Sequence, residues 1–172
     1  MLRIISLLSL LGIITACGQQ RVDFYNGLPM FSGVDPGLQP YFDQFTALSG
    51  VQTTGITAGF TPLTFPIAGE CVWGQYYNEV RIDQTDWPNF TEDQKQQLVS
   101  HELGHCALFL YHINNCSDST TAPDGTESTC NQGYGMPLSI MNWQMFTQQQ
   151  AINLTAQPAQ YYQYLKLNLP IP

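Results

Sequence analysis

Charge is scarce in this sequence, and basic charge most of all. Charged residues make up 10% of the 172 residues, and only five of them are lysine or arginine. The formal net charge at pH 7 is -8. Binding to nucleic acid depends on clustered basic side chains that neutralise phosphates, so a general nucleic-acid-binding role is excluded. Apolar residues nevertheless make up 44% of the chain, a composition typical of a globular protein.

The sequence also lacks an apolar run long enough to span a bilayer, which takes about 20 residues. Its N-terminus carries Arg3, a shorter apolar run over 4–14, and small residues before Cys17. This is the layout of a secretory signal peptide. The segment Ile-Thr-Ala-Cys ending at Cys17 resembles the lipobox of bacterial lipoproteins, which implies a lipid anchor on Cys17. Plain secretion without a lipid is the alternative.

These features divide the chain into three parts. We expect a lipoprotein signal peptide over 1–16, a lipidated N-terminus and tether over 17–30, and a single domain over 31–172. Cleavage before Cys17 leaves 172 − 16 = 156 residues. The expected location is the bacterial cell envelope, where a monomer is held to a membrane through Cys17. The residue after it is Gly18 and not the Asp linked to inner-membrane retention, which favours the outer membrane or cell surface.

Cysteine is also infrequent, with four residues besides Cys17: Cys71, Cys106, Cys116 and Cys130. An even number in an exported domain indicates two disulfides, for which three pairings are possible. We favour Cys116 with Cys130, which would close a polar loop and contribute roughly 3 kcal/mol in the chain-entropy model. Cys71 would then join Cys106.

Local patterns predict a mixture of helices and strands. Thr91 followed by Gln94 is the spacing of a capping box, and the acidic pair after Thr91 suits the first turn of a helix, so a helix is predicted from Glu92 to about Leu110. The other predicted elements are a short helix over 40–48 ending near Gly50, strands and turns over 51–65, one or two strands over 71–83, a connector over 86–89, a loop over 114–135, a helix capped by Thr147 and Gln150, and a packing helix over 161–165 that Pro158 precedes.

The predicted long helix carries the sequence HELGHCALFLYH, beginning at His101. His-Glu-x-x-His on a helix is a zinc-binding motif, because a separation of four residues brings both imidazoles onto one face. Glu102 is offset by about 100°, so it can act as a general base without binding the metal. Cys106 faces away from His101 and His105, so it is better interpreted as a core or disulfide residue.

A catalytic zinc usually has three protein ligands and a water, so a third ligand is needed. The chain has only three histidines, and the third is His112. On an unbroken helix His112 would lie about 10 Å beyond His105. The helix must therefore end near Leu110 and the chain must fold back. Tyr111 and Asp118 are the alternative ligands.

With these motifs the chain resembles the metzincins, and more closely a group of small bacterial metallopeptidase lipoproteins. The shared pattern is HELGHC, a His six residues after the Cys, and a later Ser-Ile-Met segment, matched here by Ser139-Ile140-Met141. The resemblance spans roughly 71–143. It implies that Met141 forms a Met-turn, a hydrophobic floor under the three imidazoles.

The resemblance also implies the fold. We expect an α+β, zincin-like domain in which a mixed, twisted β-sheet packs on the active-site helix, with a small irregular C-terminal subdomain that carries the Met-turn and the terminal helices. The usual metzincin has Gly three residues after the second His and its third His three residues later. Leu108 and Tyr111 occupy those positions, so His112 comes one residue late and its turn is built without that Gly.

The expected function is that of a zinc endopeptidase with one catalytic Zn²⁺. Water activated by the metal attacks a peptide or protein substrate, with Glu102 as general base. One alternative is a catalytically silent surface lipoprotein in which zinc stabilises a binding or envelope-structural module, and another is cleavage of the peptides of peptidoglycan. An intact Glu102 favours the enzyme. The aromatic residues Trp73, Tyr76 and Tyr77 either pack the sheet or line a substrate cleft.

Overall fold

The computed structural model describes residues 15–17, 29–74, 76–112, 140–141 and 146–167. The predicted polar loop over 114–135, the pair Cys116 and Cys130, and Asp118 lie outside the described residues. Among the helices that the structure describes, none is both long and apolar enough to cross a membrane.

Three strands form the central mixed sheet: β2 (Ile56–Thr61), β3 (Ile67–Trp73) and β4 (Asn78–Asp83). β4 lies in the middle, because it pairs antiparallel with β3 and parallel with β2. A short strand, β1 (Thr15–Cys17), runs parallel to β3 beside Ile67–Gly69, which gives the order β1-β3-β4-β2. The prediction of strands over 71–83 is confirmed, although β3 begins four residues earlier.

The long helix α2 spans Glu92–Leu108, and its N-terminus forms as the sequence predicts. Thr91 and Gln94 make the reciprocal hydrogen bonds of a capping box. The two bonds satisfy backbone donors that the first turn of a helix would otherwise leave without partners. The predicted capping box is confirmed. The sequence could predict it because the two residues are only three positions apart.

The end of α2 is sharper than predicted, since the helix stops at Leu108 and not at about Leu110. Phe109 adopts the left-handed conformation, with φ of 56°, and turns the chain back. The Leu110 N–H then donates to the Gly104 carbonyl at 3.2 Å. The predicted reversal after the helix is therefore confirmed, and a phenylalanine makes the turn where glycine is the usual residue.

Helix α2 is the centre of the fold, since every residue from Gln96 to Cys106 is buried. It packs on β3 and β4 on one side and on helices α1, Gln39–Ser49, and α3, Gln148–Ala156, elsewhere. The Cys71–Cys106 disulfide joins β3 to α2 with 5.6 Å between the Cα atoms, which confirms that pairing. The sheet and the helix are thus covalently fixed to each other near the end of both elements.

The remaining helices also begin and end at signals that the sequence contains. Helix α1 stops at Gly50, a left-handed residue with φ of 69° whose N–H donates to the Thr46 carbonyl. Thr147 and Gln150 exchange hydrogen bonds at the start of α3. Pro158 begins a further helix, α4 (Pro158–Leu167), where Tyr162 is buried beside Ser100 of α2.

Together the sheet and the helices establish an α+β domain with a mixed sheet. The finer likeness to a zincin stays a prediction.

Candidate metal centre

His101 and His105 lie one turn apart on α2, and both imidazoles are fully buried. Their Nε2 atoms are 3.1 Å apart. The four-residue spacing that the sequence provides therefore brings the two rings to one point, as the geometry of the helix requires.

His112 completes a group of three. Its Nε2 lies 3.3 Å from Nε2 of His101 and 3.2 Å from Nε2 of His105. The reversal at Phe109 makes this possible, because a helix that continued would carry His112 about 10 Å away. Three histidines are thus positioned to hold one metal ion.

Backbone carbonyls orient the two helical imidazoles. The Nδ1 of His101 lies 2.8 Å from the Ile140 carbonyl, and the Nδ1 of His105 lies 2.6 Å from the Leu110 carbonyl. A carbonyl oxygen can only accept, so each Nδ1 carries the proton in the neutral ring and donates it. The Nε2 of each ring then presents a lone pair. A metal-binding histidine is usually held by a hydrogen bond of this kind.

The convergence of the three Nε2 atoms fits a tetrahedral cation. The His101 and His105 Nε2 lone pairs cannot hydrogen-bond to each other, because both are acceptors. Metal–nitrogen bonds of about 2.0–2.1 Å in a tetrahedron place neighbouring nitrogens roughly 3.3 Å apart, close to the separations of 3.1, 3.2 and 3.3 Å found here. The donor set and its spacing therefore suit a single ion, for which the described residues supply three ligands.

The electrostatics of the group also favour neutral ligands. Burial lowers the pKa of His105 to about 4, with a smaller contribution from the neighbouring His112. Burial likewise holds the pKa of His101 well below its ordinary value, and the two other imidazoles add to the effect. At neutral pH both rings are unprotonated, which is the state that binds a metal.

Glu102, the expected general base, is fully buried next to His101 on α2. Its carboxylate lies against β3 at Gly69, where an added Cβ would be only 2.9 Å from Glu102 Oε1. The carboxylate therefore occupies a narrow space between helix and sheet that exists because position 69 has no side chain.

Met141 is fully buried in a turn and packs against α2 at Gly104, between the two helical histidines. A Cβ at Gly104 would overlap the Met141 sulfur. The neighbouring residue, Ile140, supplies the carbonyl that receives the His101 Nδ1 proton. Met141 thus packs on the turn of α2 that carries the two helical histidines, and its role as a Met-turn floor stays a prediction.

The other candidate residues lie elsewhere. Cys106 is in the disulfide, as the helical wheel predicts. Tyr111, one alternative ligand, is 63% exposed, while His112 makes up the group of three. Cys17, the expected site of lipidation, lies in β1, and its modification stays a prediction.

Gly69 and the carbonyls that orient the histidines were missed from the sequence. Gly69 gives Glu102 its space, and a glycine within a strand is a known signal that another group approaches closely. The Leu110 carbonyl orients His105, and no sequence pattern identifies it, since the bond depends on the left-handed turn at Phe109. Comparison with protein-family models, with curated proteins and with solved structures finds no match to this chain.

Proposed function

We propose that this protein is a zinc endopeptidase, with His101, His105 and His112 as the metal ligands and Glu102 as the general base. The observation that carries the proposal is the combination of three convergent Nε2 atoms with a buried carboxylate on the adjacent helical position. A structural metal site usually closes its fourth position with a protein ligand and makes no use of a base.

Zinc is the metal that we propose because the donors are three neutral imidazoles at tetrahedral spacing. Three histidines with an open fourth position are a known ligand set of catalytic zinc, whereas carboxylate and carbonyl oxygens suit magnesium and calcium. When bound, Zn²⁺ supplies a Lewis acid that lowers the pKa of water to about 7 and polarises a carbonyl oxygen.

The chain's own residues orient the imidazoles and transfer the proton. The Ile140 and Leu110 carbonyls hold the protons of His101 and His105 on Nδ1, which fixes the direction of both rings. The Glu102 carboxylate accepts a proton from the attacking water and delivers it to the leaving amine. Burial of Glu102 limits the water that competes for this proton.

The test compares wild type with Glu102→Gln and His112→Ala, using zinc content and the cleavage of an unfolded protein such as casein. Glu102→Gln is expected to keep about one zinc per chain and to lose activity at least about 100-fold, the usual contribution of a general base. His112→Ala is expected to lose zinc and cleavage together. Glu92→Gln is the matched control, because Glu92 lies on the same helix but its side chain is 76% exposed.

The results separate the enzyme from a silent, zinc-stabilised surface protein. Zinc bound by wild type without cleavage of any peptide, protein or peptidoglycan substrate would favour the silent role. Wild type prepared without chelators that contains no zinc would contradict both roles. The proposed lipid anchor at Cys17 is tested apart from these, by the loss of membrane association in Cys17→Ser.

A further inference from the structure

A pocket of about 550 Å³ opens where β3 and β4 meet the end of α2. Half of the described residues that line it are aromatic, namely Trp73, Tyr76, Tyr77, Phe109 and Tyr111. Among the described residues that line it, none carries a charge. A concave site with apolar, aromatic walls is the usual form of a site for an apolar ligand group.

The pocket and the metal centre share one segment of the chain, residues 109–112, although the described pocket lining includes no histidine. Residues 109–112 alternate in direction: Phe109 and Tyr111 are 60% and 63% exposed and line the pocket, while Leu110 is buried and His112 reaches the other histidines. Consecutive Cα atoms are about 3.8 Å apart, so the backbone of Tyr111, at the edge of the pocket, lies within about 10 Å of Nε2 of its neighbour His112. An extended peptide covers that distance in roughly three residues.

The walls of the pocket are held in place. The Cys71–Cys106 disulfide and a 2.7 Å hydrogen bond from Asn78 Nδ2 to the Cys106 carbonyl tie the β3–β4 end to α2. The Trp73 and Phe109 rings are in contact, with centroids 5.9 Å apart. This side of the pocket is therefore preformed, and an occupant gains affinity because little ordering is required there.

We propose that this pocket binds a bulky apolar or aromatic side chain of the peptide substrate, within about three residues of the bond that is cleaved. The inference rests on the proposed peptidase function and deepens it by naming the substrate class. A sugar is a poorer fit, because the Asn78 amide is already engaged with Cys106 and the described part of the lining has no carboxylate. An anionic membrane surface is disfavoured by the net charge of -8.

The experiment uses a peptide series in which one position at a time, up to three residues from the cleaved bond, is Ala, Leu or Phe. Wild type is expected to cleave Phe or Leu peptides more efficiently than Ala peptides at one position, by about 10–100-fold, the range for one apolar side chain in a pocket. In Tyr111→Ala the ratio of cleavage efficiencies between the Phe or Leu peptide and the Ala peptide is expected to fall toward one. Tyr111→Phe should keep the wild-type ratio. Met30→Ala, an exposed apolar residue outside the pocket, is the control.

Binding of the same peptides to Glu102→Gln, followed by tryptophan fluorescence, separates this inference from the peptidase proposal. Tighter binding of Phe than of Ala peptides, lost in the double variant with Tyr111→Ala, supports the pocket even if no cleavage is found. Equal cleavage and equal binding of the series would overturn it, as would a preference that Tyr111→Ala leaves intact. If Tyr111→Ala does not fold, Tyr76→Ala replaces it, since Tyr76 is almost fully exposed.

Discussion

Two glycines determine how closely other groups approach the helix that carries the histidines. A Cβ at Gly69 would lie 2.9 Å from Glu102 Oε1, and one at Gly104 would overlap the Met141 sulfur. Neither glycine is among those with positive φ. Their role is therefore to leave space, and not to allow a special backbone conformation.

Gly69→Ala tests whether that space positions the Glu102 carboxylate. The new methyl group would push the carboxylate away from β3, and a displacement of about 1 Å in a catalytic group can slow the reaction roughly 100-fold. We expect the rate of peptide cleavage to fall between about 10-fold and 100-fold, while elemental analysis finds an unchanged zinc content. The control is Gly33→Ala, where an added Cβ meets nothing within 4 Å. Full activity in Gly69→Ala would show that Glu102 works from another position.

Phe109 forms the turn at the end of α2 with φ of 56°, a conformation that costs an ordinary residue about 1–2 kcal/mol. Phe109→Gly should relieve this strain and leave the free energy of unfolding unchanged or about 1 kcal/mol higher, since the ring is mostly exposed. Phe109→Val should lower it by at least about 1 kcal/mol, because β-branched residues tolerate this region worst. Urea unfolding measures both.

The same pair of variants also reports on the metal site. A strained or shifted turn moves His112, so Phe109→Val is expected to bind zinc more weakly than Phe109→Gly in competition with a chelator. Equal affinities in the two variants would mean that the third ligand does not depend on the left-handed turn.

At the scale of whole elements, the disulfide fixes the sheet to the helix. Cys71 and Cys106 are 35 residues apart, and closing a loop of that length contributes about 4 kcal/mol in the chain-entropy model. The double variant Cys71→Ser, Cys106→Ser should therefore unfold at a lower urea concentration. Its free energy of unfolding should be lower by about 4 kcal/mol. The reduced wild type should match it. An unchanged midpoint would mean that packing alone holds β3 on α2.

The sequence predicts the beginning of α2 well and its end less well, for a physical reason. Thr91 and Gln94 interact across three residues, so their pattern can be read locally. The stop at Leu108 depends on Phe109 accepting a left-handed conformation, which glycine but not phenylalanine would signal. The predicted pairing of Cys71 with Cys106 is confirmed. It followed from assigning Cys116 to Cys130, a pair that lies outside the described residues.

The histidine group was predictable only in part. The spacing of His101 and His105 fixes their relation on any helix, whereas the approach of His112 depends on the chain reversal. The carbonyls of Ile140 and Leu110, which orient the rings, belong to backbone that the sequence does not distinguish. The aromatic pocket joins residues from three separate parts of the chain, so Trp73, Tyr76 and Tyr77 alone could not separate a cleft from ordinary packing.

In the molecule as a whole, burial of the histidines connects the metal site to folding. The folded protein without metal holds the pKa of His105 at about 4 and that of His101 well below 6.5, and in both cases burial is the largest cause. In the unfolded chain both rings titrate near about 6.5. Below that pH the unfolded state binds protons that the folded state does not, so stability falls as the pH decreases from about 6.5 to about 4.

This predicts that the chelated protein is less stable at pH 5 than at pH 7.5, by about 2 kcal/mol from His105 alone. Urea unfolding at the two pH values, with metal removed, measures the difference. His105→Asn, which does not titrate, should show a smaller loss between the same two values. Zinc should raise stability most at the higher pH, because protons compete with the metal for the three imidazoles as the pH falls. Equal stability of chelated wild type at both pH values would contradict the burial of neutral histidines, and with it the electrostatic basis of the site.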